Sequence, residues 1–97
     1  VSDTGLDLAV VAAVLSSYFD RPINDGLALA GEIGLSGEVR PAPRTEQRIS
    51  EAARLGFKKI VVSGYASLPS KKIKGIEIAR INTVGELARH LFSANEE

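Results

Sequence analysis

There is no cysteine in the 97 residues. That absence excludes a disulfide framework, a thiolate nucleophile and any cysteine-ligated metal site. Histidine occurs once, at His90, which excludes metal sites built on two histidines. Aromatic residues are 5% of the chain, and they form no cluster on which bases could stack. The longest apolar run, Leu8 to Leu15, is far too short to cross a bilayer. It also lacks the basic flank and cleavage site of a signal peptide. Net charge is absent too, because twelve basic side chains balance twelve acidic ones. What is present, 44% hydrophobic and 25% charged residues, is ordinary for one soluble globular domain. A domain this small buries only about 60–65% of the surface its unfolded chain exposes, so its core is modest.

The zero balance conceals a segregation along the chain. Residues 40–74 hold nine basic side chains against Glu46 and Glu51, a net of +7. The remainder holds Arg21, Arg80 and Arg89 against ten acids, a net of −7. Such a stretch is either a set of solvated surface elements or a face that attracts a polyanion. With so few aromatics, a nucleic acid meeting it is expected to meet it through phosphates and not by sequence.

Helical periodicity opens the chain. Thr4-Gly5-Leu6-Asp7 has capping-box spacing, and an apolar stretch runs from Leu6 to Phe19 before Asp20-Arg21-Pro22 stops it. Leu6, Val10, Ala13, Val14 and Ser17 share one face, while Leu8, Val11, Ala12 and Leu15 cover the others. A helix apolar nearly all round is expected to be covered on more than one side, with Tyr18 and Phe19 in the core. Leu27–Ile33 reads as one strand with Leu27, Leu29 and Ile33 on one face. Ser36-Gly37 marks a turn, and Glu38-Val39-Arg40 returns as the second hairpin arm. Pro41-Ala42-Pro43 permits a helix from Arg44 to Leu55, with Ile49, Ala52 and Ala53 inward and Gly56 as the C′ residue. Lys59–Ser63 reads as a buried strand, residues 64–74 as a loop, and Gly75–Ile81 as a further strand. Thr83-Val84-Gly85-Glu86 is a second capping box, followed by the stripe Val84, Leu87, Ala88, Leu91. Residues 93–97 are expected to fray.

This order predicts an α/β fold, with helices packed on a small mixed sheet. Val1-Ser2-Asp3 leaves no room for a strand ahead of the first helix. The chain, taken as a single domain over 1–97, is therefore expected to be a fragment lacking upstream strands.

Few constellations carry chemistry. Gly31, Gly34 and Gly37 do not open a helix, so they are hairpin glycines and not a phosphate loop. Glu32 falls on the strand face opposite Leu29 as a hairpin-edge or interface acid. His90 falls in the last helical turn, where an imidazolium would face the negative end of the dipole, and its role is structural. A Ser–Lys dyad needs a hydroxyl beside a lysine of depressed pKa. The hydroxyl candidates are Ser2, Thr4, Ser16, Ser17, Ser36 and Ser50, but every lysine lies at 58 or later, at a strand start or in the exposed loop.

Four segments carry a resemblance: Asp7-Leu8-Ala9-Val10, Asp20-Arg21-Pro22, the run from Gly31 to Pro41, and Glu51-Ala52-Ala53-Arg54-Leu55-Gly56-Phe57-Lys58. Together they resemble the carboxy-terminal Lon-protease-like domain of the bacterial RadA (Sms) DNA repair family. The resemblance spans essentially the whole chain, and it implies the Lon proteolytic-domain fold, which is similar to ribosomal protein S5 domain 2. Lon proteases carry a serine in Gly-Pro-Ser at the start of the first helix and a lysine on the helix after the hairpin. Those positions fall at Gly5 and Glu46, so the resemblance implies a domain without proteolytic catalysis, and Thr4 serves as a cap. It further implies an intact protein with a four-cysteine zinc element and a RecA-like ATPase core. Such proteins form hexameric rings and act as ATP-driven branch-migration motors on recombination intermediates, with the recombinase as a further partner. ATP, magnesium and zinc then belong to the intact protein, and this chain has no cofactor or metal site of its own. The location implied is the bacterial cytoplasm, away from membranes. The domain's expected roles are ring assembly and non-specific DNA contact, with Arg40, Arg44, Arg48, Lys58, Lys59, Lys71, Lys72 and Lys74 as candidates for phosphates. The competing readings are an active Ser–Lys peptidase of the Lon type and the Lon-like domain of magnesium-chelatase-like competence proteins. The latter share the Gly-Leu-Asp-Leu opening, but Asp20-Arg21-Pro22 and the Glu-Ala-Ala stretch argue against them.

Overall fold

The Ile60-Val61-Val62 run is β-branched throughout, which suits a pleated strand buried on both faces, and all three residues are buried. It forms the middle of β4 (Lys59–Ser63), the central strand of a parallel sheet. The computed structural model describes residues 7–69 and 73–92. Within them β1 (Leu27–Ala30) and β5 (Glu77–Ile81) flank β4, giving the order β1-β4-β5. Leu27 stands beside Lys59, and Lys59 beside Glu77. The side chains alternate with period two. Leu27, Leu29, Val61, Ala79 and Ile81 enter one layer with Ala12 of α1 (Asp7–Phe19) and with Leu87 and Leu91. Ala28, Ala30, Ile60, Val62 and Ile78 enter the other, beneath Ile49 and Ala52 of α2 (Thr45–Arg54). The α/β expectation holds, with helices on both faces of the sheet.

The expected strand over Leu27–Ile33 is divided. It breaks at buried Gly31, and β2 (Glu32–Ile33) leaves the parallel sheet to pair antiparallel with β3 (Val39–Arg40). The hairpin turn is as expected: Gly37 donates to the Gly34 carbonyl, Gly34 to the Glu38 carbonyl, and Gly37 adopts φ +82°. Gly56 stands at C′ of α2 as expected, at φ +95°, and the helix ends in a Schellman arrangement. The Gly56 and Phe57 amides donate to the carbonyls of Ala53 and Ala52.

Three further expectations are corrected. The first helix is not covered on more than one side. Ala12 is sealed and Val11 and Leu15 pack on the sheet, but Val10 and Val14 are each 61% exposed. Tyr18 is 79% exposed and Phe19 49%, so neither is core; no described element lies over that face. The second capping box forms only in part. The Glu86 carboxylate accepts the Asn82 amide at 3.3 Å, while the Thr83 hydroxyl donates to that carboxylate at 3.2 Å instead of accepting from the backbone. The helix there is a 3-10 turn, Val84–Glu86, followed by a single turn of α3 (Ala88–Leu91). The late strand begins at Glu77 and not at Gly75, which instead takes φ +84° in the preceding turn. Thr4 and Gly5 of the first capping box, and residues 93–97, lie outside the described residues.

Candidate nucleic-acid interface

α2 starts near the carboxyl ends of β1 and β3 and returns the chain to the amino end of β4. Ten residues at 1.5 Å each make it about 15 Å long. The basic stretch is threaded along this helix, so its charges fall toward the two ends of α2. Arg40, Arg44 and Arg48 lie toward the amino end of α2. Arg54, Lys58 and Lys59 lie toward its carboxyl end. Lys74 joins the second group, three residues before Glu77, whose amide donates to the Lys58 carbonyl at 2.9 Å. Lys71 and Lys72 lie outside the described residues.

The arginine end is built in detail. Arg44 caps α2 in the left-handed region, at φ +57° and ψ +44°. Thr45 beside it is buried, and its hydroxyl donates to the Ala42 carbonyl at 2.7 Å. The Arg48 Nε donates to the Pro43 carbonyl at 2.7 Å, which curls its guanidinium back toward the start of the helix. Arg44 and Arg48 share an open groove of ≈ 470 Å³ with Leu29, Gln47, Leu55 and Phe57. Arg40 reaches Glu38 through Nε at 3.0 Å and Nη2 at 2.7 Å. Its own backbone amide first, and Arg40 second, hold the Glu38 carboxyl below the usual value of 4.5. That carboxylate folds over Gly34, where a Cβ would stand 1.9 Å from it. Glu32 stands across the hairpin from Arg40.

The second group is more mixed. Arg54 is paired with Glu51 on the same helix. Lys59 stands next to Glu77 on the adjoining strand.

One arginine outside the +7 stretch belongs with the first group. Arg80, on β5, donates through Nη2 to the carbonyls of Gly64 and Ala66. Linear charge counting misses it because it is separated in sequence and reaches this end only through the β4–β5 pairing.

The dyad positions stand as follows. Gly5 lies outside the described residues, and Glu46 is exposed in the first turn of α2. Ser16 donates to the Arg21 carbonyl. Ser63 is fully buried, donating to the Val39 carbonyl at 2.7 Å and accepting the Tyr65 amide at 3.0 Å. The described lysines sit at the opposite end of the sheet from Glu46. Among the described residues, no group of three His, Asp or Glu side chains could hold a metal ion. Among them, too, no helix is long and apolar enough to cross a membrane.

His90 departs from its expected state. Burial first, and Lys59 second, push its pKa below the usual 6.5, and Nδ1 is buried with no hydrogen-bond partner. A single-turn helix offers too little dipole to outweigh that desolvation. The fold therefore favours neutral His90, whereas the unfolded chain takes up a proton near pH 6.5. Stability contributed by the neutral ring is present above that pH and lost as pH falls through 6.5 toward the folded-state value. Melting temperatures between pH 8 and pH 5 should accordingly fall more steeply for the wild type than for His90→Gln. Parallel curves would show that His90 does not titrate with folding.

A family model described as subunit ChlI of Mg-chelatase matches residues 2–65. DNA repair protein RadA of Streptococcus pyogenes serotype M3 (strain ATCC BAA-595 / MGAS315) is 42% identical over 93 residues, which is 96% of this chain and 20% of that protein. The RadA of Escherichia coli (strain K12) is 41% identical over 86 residues, 89% of this chain and 18% of that protein. The RadA of Streptococcus pneumoniae (strain ATCC BAA-255 / R6) is 40% identical over 93 residues, 96% and 22% respectively. The chain thus spans about a fifth of the length of the curated relatives it matches.

Proposed function

The chain belongs to the family described as subunit ChlI of Mg-chelatase, and from that membership and its RadA relatives we propose that it is a non-proteolytic, Lon-protease-like domain of a RadA-type DNA repair protein. The observation that carries this is the 40–42% identity to proteins named DNA repair protein RadA over as much as 96% of the chain. The family model described as subunit ChlI of Mg-chelatase matches residues 2–65 alone. The RadA similarity extends over nearly the whole length, which favours the repair reading. In this reading the domain serves self-association into a ring and sequence-independent DNA contact. ATP, magnesium, zinc and a recombinase partner belong to the full-length protein. Glu46 at the lysine position supports the absence of peptidase chemistry, because an exposed carboxylate offers no ammonium to a serine. The uncovered face of α1, with Val10, Val14 and Tyr18 outward, supports a domain completed by further strands.

The test uses the full-length protein and labelled oligonucleotides of two unrelated sequences. Equal affinities that fall steeply with salt are expected, as for a phosphate-directed surface. Absence of binding, or a strong preference for one sequence, would overturn the DNA reading. A peptidase assay run alongside should show no turnover; turnover abolished by Thr4→Ala would establish the peptidase reading instead.

A further inference from the structure

β5 is an edge strand, with β4 on one side of it and no strand among the described residues on the other. Its pairing with β4 is anchored at both ends. The Glu77 amide donates to the Lys58 carbonyl at 2.9 Å, and the Gly64 amide to the Ile81 carbonyl at 2.8 Å. Alternate residues of a parallel strand bond to the same neighbour, so Glu77, Ala79 and Ile81 face β4 in this register. Ile78 and Arg80 therefore turn their N–H and C=O groups to the open side. Such edges are commonly blunted by proline, a bulge or a guarding charge. β5 has no proline and a regular register. Its one basic side chain, Arg80, is drawn off to the carbonyls of Gly64 and Ala66.

Beside the amino half of this edge lies a depression of ≈ 660 Å³, lined by Leu68, Pro69, Ile73, Ile76 and Ile78. Ile73 and Ile78 are only partly buried. The single carboxylate of the lining, Glu77, has Lys59 beside it on β4. The chain that leads into the depression is basic, because Lys72 and Lys74 flank Ile73 and Lys71 precedes them. Lys74 is exposed. An unpaired strand edge with an apolar trough along it fits an extended polypeptide. Main-chain hydrogen bonds continue the ladder, and alternate side chains enter the trough. A nucleic acid has no alternating N–H and C=O groups with which to do so.

We propose that the outer edge of β5 takes up an extended peptide of a partner protein, antiparallel, with aliphatic side chains at alternate positions and acidic residues at its carboxyl end beside Lys74. The antiparallel sense is the more stable pairing per residue, and it brings the carboxyl end of the peptide to the amino end of β5. This contact goes beyond the DNA surface proposed above, since Arg40, Arg44 and Arg48 lie toward the other end of the sheet.

The experiment follows fluorescence anisotropy of the labelled probe Val-Thr-Val-Thr-Val-Glu-Glu with the full-length protein. Two relatives serve as controls: one with N-methylated valines, which cannot donate to an edge, and one ending in Lys-Lys. The acidic probe should bind, and saturating oligothymidine should not displace it. N-methylation should weaken binding by about two- to tenfold for each hydrogen bond lost. Lys74→Glu, at an exposed position, should weaken the acidic probe by about two- to fivefold and strengthen the lysine-ended one by a similar factor. The proposal is overturned if the acidic probe shows no binding up to about 1 mM, or if N-methylation changes nothing. It is overturned equally if Lys74→Glu moves both probes alike, or if oligothymidine displaces the peptide. Absence of binding, together with an oligomer in sedimentation that Lys74→Glu dissociates, would give the edge to a second copy instead.

Discussion

Replacing Ile49 with alanine is expected to destabilise the fold by about 2–5 kcal/mol, the range for truncating a fully buried aliphatic side chain. Ile49 is 0% exposed and is the largest side chain that α2 sends into the layer formed with Ala30, Ala42, Ala52, Ile60, Val62 and Ile76. Three of those six neighbours are alanines, which cannot lean into the space left behind. The loss matters because a domain of this size has a total stability of about 5–15 kcal/mol. Leu55 supplies the control: it is on the same segment but 62% exposed, so Leu55→Ala should stay within about 0.5 kcal/mol of the wild type. Urea unfolding followed by far-ultraviolet circular dichroism reads both. Equal shifts in the two variants would mean that α2 is not anchored through Ile49. A functional consequence follows, because α2 also carries Arg44 at its cap and Arg48 in its second turn. DNA affinity of Ile49→Ala should fall with its folded fraction.

The sequence-level pattern reports side-chain environment better than hydrogen-bond partnership. The strand run from Leu27 to Ile33 shows why. Leu27, Leu29 and Ile33 all enter one cluster, as the alternation predicts, yet the backbone changes sheets at Gly31 between them. Period-two alternation continues through the break, so nothing in it marks the exchange of β4 for β3 as partner. α2 was legible because its signals are local: the Ile49–Ala52 spacing and the glycine at C′. The first helix was legible as apolar all round, but an apolar face states only that cover is needed and not which residues provide it. The charge pattern fails for a related reason. Residues 40–74 are contiguous in sequence, but a helix of about 15 Å intervenes between Arg44 and Lys58. Arg80 comes to the arginine end only because β5 lies beside β4. The turn around Tyr65 is held by Ser63 and Arg80, a clamp that no local spacing encodes.

The division of charge yields the second large effect. Reversing Arg44 and Arg48 together, Arg44→Glu with Arg48→Glu, is expected to weaken DNA binding by the full-length protein at least about tenfold at moderate salt. Each phosphate contact contributes close to 0.9 to the slope of log affinity against log salt on duplex DNA, and about 0.7 on single strands. Losing two contacts should therefore flatten the slope by about 1.4 on oligothymidine. The matched reversal at the other end, Lys58→Glu with Lys59→Glu, changes the net charge by the same amount. It does so where Glu51 already holds Arg54 and Glu77 stands beside Lys59, at the other end of α2 from Arg44. If the arginine end is the interface, this second variant should lose only the weak long-range attraction that salt screens beyond about 10 Å, and its slope should stay near that of the wild type. Titrations from 50 to 200 mM salt separate the two. Equal flattening in both variants would mean that DNA wraps the whole length of α2, and a larger effect at the lysines would move the interface to the amino end of the sheet.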